Sequence, residues 1–392
     1  MEGVVGRDVL SARVRAVKPS GIRKFFDIAA AMPDIISLGV GEPDFVTPDN
    51  IRQAGIRALE AGETHYTSNY GTLELREAIA AHLERRYGLR YDPRTEILVT
   101  VGVSEGVDVA MRALLDPGDE VLVPDPGYVA YEADVSLAGG TVVPIRTAVE
   151  DQFEVKAAAL EAALTSRTKL ILLGNPNNPT GGVIEEAELR RIAELAVRRD
   201  LLVLSDEVYS RLVYGGAHAC IAALPGMRER TILVDGFSKA YAMTGWRIGY
   251  ACAPAHILEA MLKVHQYAIM CAATPSQAAA LEALRHGEEH VLAMVAEYDH
   301  RRRLMVAGMN AAGLACYEPH GAFYAFPSIT RTGLTSDEFA EKLLFDEHVA
   351  VVPGSAFGEA GEGFIRCAYC TAADKIEEAL TRIARFVARH AR

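Results

Sequence analysis

Three kinds of side chain stand in this sequence where burial would make them chemically unusual. Lys239 follows the apolar run Ile232-Leu233-Val234 within the stretch TILVDGFSKAYAMTGWRIGY, and Arg247 lies eight residues further on, just before a second apolar run, Ile248 to Ala253. An amine at the end of a buried strand is costly to desolvate, so its pKa falls, as a nucleophilic or Schiff-base lysine requires. Asp206 ends the apolar run Leu201 to Leu204 in the sequence SDEVY. A carboxylate there is too costly to leave without a partner. Arg366 interrupts the alternating run FIRCAYC, and a buried guanidinium needs a fixed anion, which it can grip bidentately if that anion is a carboxylate. The plainer alternatives are an exposed loop for the lysine and an internal ion pair for the arginine.

The elements that must position these groups read as a mainly parallel α/β sheet. Strand candidates are Ile97 to Val101, Val121 to Val123, Val142 to Ile145, Lys169 to Leu173, Leu201 to Leu204, Ile232 to Val234 and Ile248 to Ala253, with amphipathic helical stretches between most of them. Alternation of this kind predicts a sheet covered by helices on both faces, with ligands beyond the carboxyl ends of its strands. Small residues at Gly102-Val103-Ser104 open a helix after the first of these strands, and helix N-terminal N–H groups favour an anion. Thr47 and Pro48 read as the N-cap and first position of a helix running to about Ala61. Beyond about residue 254 the helical signals lengthen (255–267, 275–285, 288–313), and strands at 349–352 and 363–369 with helices from Ser336 and Ala372 suggest a separate α+β unit. We therefore expect a large domain over 46–285 and a small one formed by 1–45 together with 286–392.

With 392 residues, 50% hydrophobic and 23% charged, the chain can bury a large core, and its net charge of −12 is a poor match for nucleic acid or anionic membrane surfaces. An N-terminus without an apolar core and the absence of any apolar segment of spanning length predict a cytoplasmic protein. Six dispersed cysteines do not form a staple pattern. Cys367 and Cys370 have the odd spacing that sends side chains to opposite strand faces, which disfavours a metal or redox pair.

The segment SKAYAMTGWRIGY closely resembles the Schiff-base region of fold-type I pyridoxal phosphate enzymes, in particular the class I/II aminotransferases, and similar matches run through nearly the whole chain. The resemblance implies that Lys239 holds the cofactor aldehyde, with Arg247, Ser238 and the loop Gly102, Val103 and Ser104 on its phosphate. Tyr128 stands where the family stacks an aromatic ring on the pyridine. Asn178 in PNNPTG and Tyr209 match partners of the phenolic oxygen, and Asp206 matches the aspartate that keeps the pyridine nitrogen protonated. GVGEPDF places Val40 and Gly41 beside the substrate, with Asn178 also in reach, and Arg366 takes the α-carboxylate. Tyr66 matches a tyrosine that crosses to the neighbouring subunit's phosphate, which implies a homodimer.

The activity implied is transfer of an amino group from an L-amino acid to a 2-oxo acid in ping-pong fashion. A lyase, decarboxylase or oxidase using the same residues is the alternative. A nicotinamide dehydrogenase would need GxGxxG between a strand and a helix, and none is present. For the substrate side chain, Arg23 or Lys24 could meet a distal carboxylate, and Phe25, Phe26 or Tyr324 could pack an aromatic group.

Overall fold

Seven apolar runs flanked by helices form one sheet in the computed structural model, which describes residues 9–17, 32 and 34–390. Its strands are β2 (Ile97–Thr100), β3 (Glu120–Asp125), β4 (Thr141–Arg146), β5 (Thr168–Gly174), β6 (Leu202–Asp206), β7 (Thr231–Gly236) and β8 (Gly249–Cys252), after a short β1 (Ile36–Ser37) that lies elsewhere. The order is β2-β8-β7-β6-β5-β3-β4. All neighbours run parallel except β8, which is antiparallel to both β2 and β7. β2, β3, β7 and β8 are buried along their whole length and β5 and β6 over most of theirs, as the unbroken runs of Leu, Ile and Val require when both faces of a sheet are covered. The predicted strand positions hold to within one or two residues.

A second region carries β9 (Tyr324–Ala325), β10 (Val349–Ala350), β11 (Val352–Pro353) and β12 (Ile365–Ala368). Here β11-β12-β9 form an antiparallel sheet, while β10 pairs in parallel with β1. The strand expected over 349–352 is thus two short strands serving different sheets. The helix Ser336–Glu347 opens with a reciprocal capping box between Thr335 and Glu338. The 24-residue helix Glu288–Ala311 packs on the C-terminal helix Ala373–His390. No described helix is long and apolar enough to cross a membrane.

Thr47 does not cap the helix after it. That helix is Asp49–Glu60, with Pro48 at the cap and no side-chain cap bond. Thr47 instead donates to the Ala242 carbonyl at 2.6 Å and accepts from Trp246 Nε1 at 3.0 Å, which ties the segment before the helix to the loop after β7.

The reversed direction of β8 matters for the site. Chains leave β2, β3, β5, β6 and β7 at one edge, and the chain entering β8 arrives from that same edge. Arg247, just before β8, therefore meets Gly102, just after β2. The close approach is enforced by glycine: a Cβ on Gly249 would lie 2.9 Å from both the Gly102 carbonyl carbon and the Val103 nitrogen, with Asp235 O at 3.1 Å. Backbone surrounds it and cannot step aside. Gly249→Ala is expected to lose about 1–3 kcal/mol of stability, read as a lower urea midpoint at unchanged slope; a midpoint equal to that of the parent protein would contradict this packing.

Candidate active site

The polar residues singled out by their sequence positions converge at the carboxyl edge of the large sheet. Lys239 follows β7 and Asp206 ends β6, with Asn175 to Asn178 after β5, Tyr128 after β3 and the helix Gly102–Leu114 directly after β2. This is where a parallel sheet leaves its loops free to bind ligands. Gly102 has φ +74°, and an added Cβ there would come within 2.7 Å of Arg247 Nη2. The helix start is not capped by a side chain, and Ser104 is exposed in its first turn. Arg247, itself at φ 51°, donates from Nη1 to the Thr244 carbonyl at 3.0 Å. Ser238 is buried beside Lys239.

Electrostatically the site is unusual in two places. Burial pushes the Lys239 ammonium down to about 8. Burial also raises the Asp206 carboxyl to about 6, against the opposing effect of two donors, Tyr131 OH at 2.7 Å from Oδ2 and Val208 N at 3.1 Å from Oδ1. No ion pair to Asp206 exists among the described residues. Tyr128 packs edge-on against Tyr131 with ring centroids 5.4 Å apart, so one ring faces the site and the other holds its acid.

The asparagines of the turn divide their labour. Asn175 Oδ1 accepts from Ile184 N, and Asn177 Nδ2 donates to the Pro126 carbonyl and to Thr180 Oγ1, so these two build the loop. Asn178 points instead to Arg366, whose Nη1 donates to its Oδ1 at 2.9 Å. Arg366 lies on β12 between the rings of Tyr324 and Phe357, 4.5 and 4.8 Å from their centroids. Among the described residues no carboxylate pairs with it, and its buried Nε has no partner. The internal ion pair that would have explained this arginine is therefore not found there.

Three site side chains grip three successive backbone carbonyls of the loop after β1. Arg366 Nη2 donates to Gly39 O at 2.7 Å, the Cys370 thiol to Val40 O at 3.3 Å and Lys239 Nζ to Gly41 O at 2.7 Å. Val40 and Gly41 thus lie beside Cys370 and Lys239. Tyr209 is buried, with its hydroxyl 2.7 Å from that of Tyr324. Tyr66 is the exception: it is 80% exposed and is not brought to its own chain's site. Arg23, Lys24, Phe25 and Phe26 lie outside the described residues.

Reading the sequence missed Tyr131, Phe357 and the placement of Cys370, and it offered Tyr324 only as a ring that could pack an aromatic substrate side chain. Tyr131 had a usable signal, since it stands three residues after Tyr128 and shares a helix face with it. Cys370 had none, because its thiol reaches the site only through the path taken by the chain after β12.

With this geometry in view, comparison with known proteins is specific. Residues 33–383 match the family model described as aminotransferase class I and II. A putative aminotransferase of Bacillus subtilis, YugH, is 54% identical over 378 residues, covering 96% of this chain and 98% of its own. An aspartate aminotransferase of Pyrococcus abyssi is 48% identical over 377 residues, covering 95% and 97%. Among solved structures, an aromatic aminotransferase from Pyrococcus horikoshii superposes with a TM-score of 0.89 at 45% identity, covering 94% of this chain and 99% of that one. A chain matched almost end to end by such relatives, and folded as they are, belongs to the class I and II aminotransferases and transfers an amino group from an amino acid to a 2-oxo acid.

Proposed function

We propose that pyridoxal 5′-phosphate is the cofactor, held on Lys239, and that the observation carrying this reading is the buried Asp206 carboxylate, which makes no ion pair among the described residues. A protonated pyridine nitrogen is the partner such an acid lacks, and it would hold the acid in its charged form. The other end of the site fits as well: an uncapped helix start and Arg247 converge where a phosphate would sit. When bound, the cofactor supplies an aldehyde for amines and an electron sink for charge developing at Cα.

The protein's own residues divide the remaining work. Gly102, Val103, Ser104, Ser238 and Arg247 hold the phosphate, while Tyr128 fixes the ring plane. Asn178 and Tyr209 address the phenolic oxygen. Arg366 orients the substrate by its α-carboxylate, with Val40 and Gly41 along its flank and Asn178 steadying the guanidinium. Lys239, whose ammonium burial brings down to about 8, would take the proton from Cα and return it two atoms along, on the carbon across the amino nitrogen. The same residues run the second half-reaction backwards with a different 2-oxo acid. We assign 46–285 to a large cofactor-binding domain and 1–45 with 286–392 to a small one, and we place the protein in the cytoplasm. The names of its relatives make aspartate and aromatic amino acids the first donors to test.

A homodimer supports this site. Tyr66 stands out from the surface together with Tyr267, Ile269 and Met270, and hydrogen bonds from Asn69 to Met270 O and from Thr274 to His65 O join their two segments. An apolar patch of this kind marks an interaction surface. Beside Arg247 lies an open cavity of about 650 Å³ walled by Glu42, Thr47, Thr244 and Trp246. The Tyr66 of a second copy is our candidate for closing it.

Three outcomes test these assignments. Borohydride treatment of the yellow holoprotein should fix the cofactor to Lys239, and capture by apoprotein should speed up as pH rises through about 8, where the amine loses its proton, and then level off. A label on another lysine refutes the site. Asp206→Ala should fold yet lose on the order of 10²-fold or more in turnover; near-normal turnover removes the assigned role. Mixing inactive Tyr66→Ala with inactive Lys239→Ala under subunit exchange should restore part of the activity, because one site of each mixed dimer then carries neither lesion. Verified mixed dimers without activity would show that each site is complete within one chain.

A further inference from the structure

We infer that Tyr324 is a positioning residue that couples the carboxylate-binding Arg366 to Tyr209, acting through its ring on the first and through its hydroxyl on the second. The inference rests on the assignments of Arg366 to the substrate carboxylate and of Tyr209 to the cofactor's phenolic oxygen.

Strand register puts Tyr324 where it can touch both. Ala368 pairs with Tyr324 and Cys367 with Ala325, so Arg366 stands two residues along from the partner of Tyr324 and on the same face of the sheet. The guanidinium accordingly lies 4.5 Å from the centre of the Tyr324 ring. At the far end of that ring the hydroxyl is 2.7 Å from Tyr209 OH, and both side chains are buried. The position of the hydroxyl is tightly bounded: a Cβ on Gly41 would come within 2.2 Å of it, so a glycine is what lets the substrate-side loop pass. Tyr209 is in turn held edge-on by Phe323 at 5.4 Å and by Tyr324 itself at 5.8 Å.

Hydrogen-bond arithmetic then sets the direction of the Tyr209–Tyr324 bond. A phenol has one proton. If Tyr209 spends its proton on the phenolic oxygen, the proton between the two tyrosines must come from Tyr324. Accepting that bond polarises Tyr209 and makes it a stronger donor, since chained hydrogen bonds reinforce one another. Burial raises the Tyr324 phenol to about 12, so its proton is in place throughout the working range. The titratable and charged groups facing Tyr324 are Arg366, Tyr209, Cys370 and Tyr128, and burial raises the Cys370 thiol to about 11. Burial likewise pushes the Tyr209 and Tyr128 phenols up, so these groups keep their protons alongside Tyr324. Movement of the guanidinium toward an arriving carboxylate is felt by the ring beneath it, and through the hydroxyl by Tyr209.

The test is a cycle of Tyr324→Phe, Tyr209→Phe and the double variant in the holoprotein, read by steady-state kinetics and by the pH midpoint of the cofactor's visible absorption band. Tyr324→Phe keeps the ring under Arg366 and removes the donor. We expect KM for the amino donor to stay within about threefold, kcat to fall about tenfold and the midpoint to rise by about half a unit, because a weaker donor stabilises the unprotonated chromophore less. Tyr209→Phe should shift the midpoint further in the same direction, and the double variant should match Tyr209→Phe, since the hydroxyl acts only through Tyr209. Tyr324→Leu, which removes the ring, should raise KM about tenfold or more. Additive midpoint shifts, or a Tyr324→Phe variant that loses thermal stability and cofactor with an unmoved midpoint, would overturn the inference and make Tyr324 a core filler. Wild-type protein that forms no visible band with pyridoxal 5′-phosphate would overturn the cofactor assignment, and this inference with it.

Discussion

Everything at the edge of the large sheet answers to one constraint: Asp206 and Arg366 are buried there without an opposite charge in ion-pair contact among the described residues. Among the described residues Asp206 has two hydrogen-bond donors and no ion-pair partner, Lys239 acting on it only from beyond contact, while Arg366 has a carbonyl, an amide oxygen and two aromatic faces but no acid in ion-pair contact. Leaving charge in this condition is costly in a finished core. It is tolerable where a ligand completes the pairing, and the two incomplete pairs lie where a cofactor and a substrate carboxylate belong. The fold holds them apart by assigning Asp206 to the large parallel sheet and Arg366 to the small antiparallel one.

Much of this was legible from the residues alone, because a both-faces-buried strand leaves an unbroken apolar run and a polar residue at its end is conspicuous. Asp206, Lys239 and Arg366 stand out in that way, and the family resemblance is what turned them into site candidates. Directions of strands were less accessible. Ile248 to Ala253 reads as one more buried run, and nothing in its composition says that β8 runs against its neighbours; that follows from the tight turn between Lys239 and Arg247. The stretch 349–352 reads as a single strand, yet Val351 lies between two short strands that join different sheets.

Side-chain partners were the least legible layer. Thr47 carries the signature of a helix cap, but its hydroxyl has stronger claims from Ala242 and Trp246, residues nearly 200 positions away. The three asparagines of NPNNPTG look alike in sequence, and only the packed turn shows that two build it and one serves Arg366. Tyr324 read only as a ring that could pack an aromatic substrate side chain, because its two contacts here are each made to a residue remote in the chain.

The loop Gly39 to Gly41 gives ligand binding an exchange character. Its carbonyls already occupy Arg366 and Lys239, so an arriving ligand replaces hydrogen bonds within the protein as well as those to water. Each exchanged bond then contributes only part of the about 1.5–3 kcal/mol of a hydrogen bond to a charged group, and in a calorimeter the heat of carboxylate binding should be small beside what a bidentate contact to a free guanidinium would release. Turnover gains from this arrangement, because the loop carbonyls stand ready to reclaim both side chains, and a product held by exchange is more easily let go.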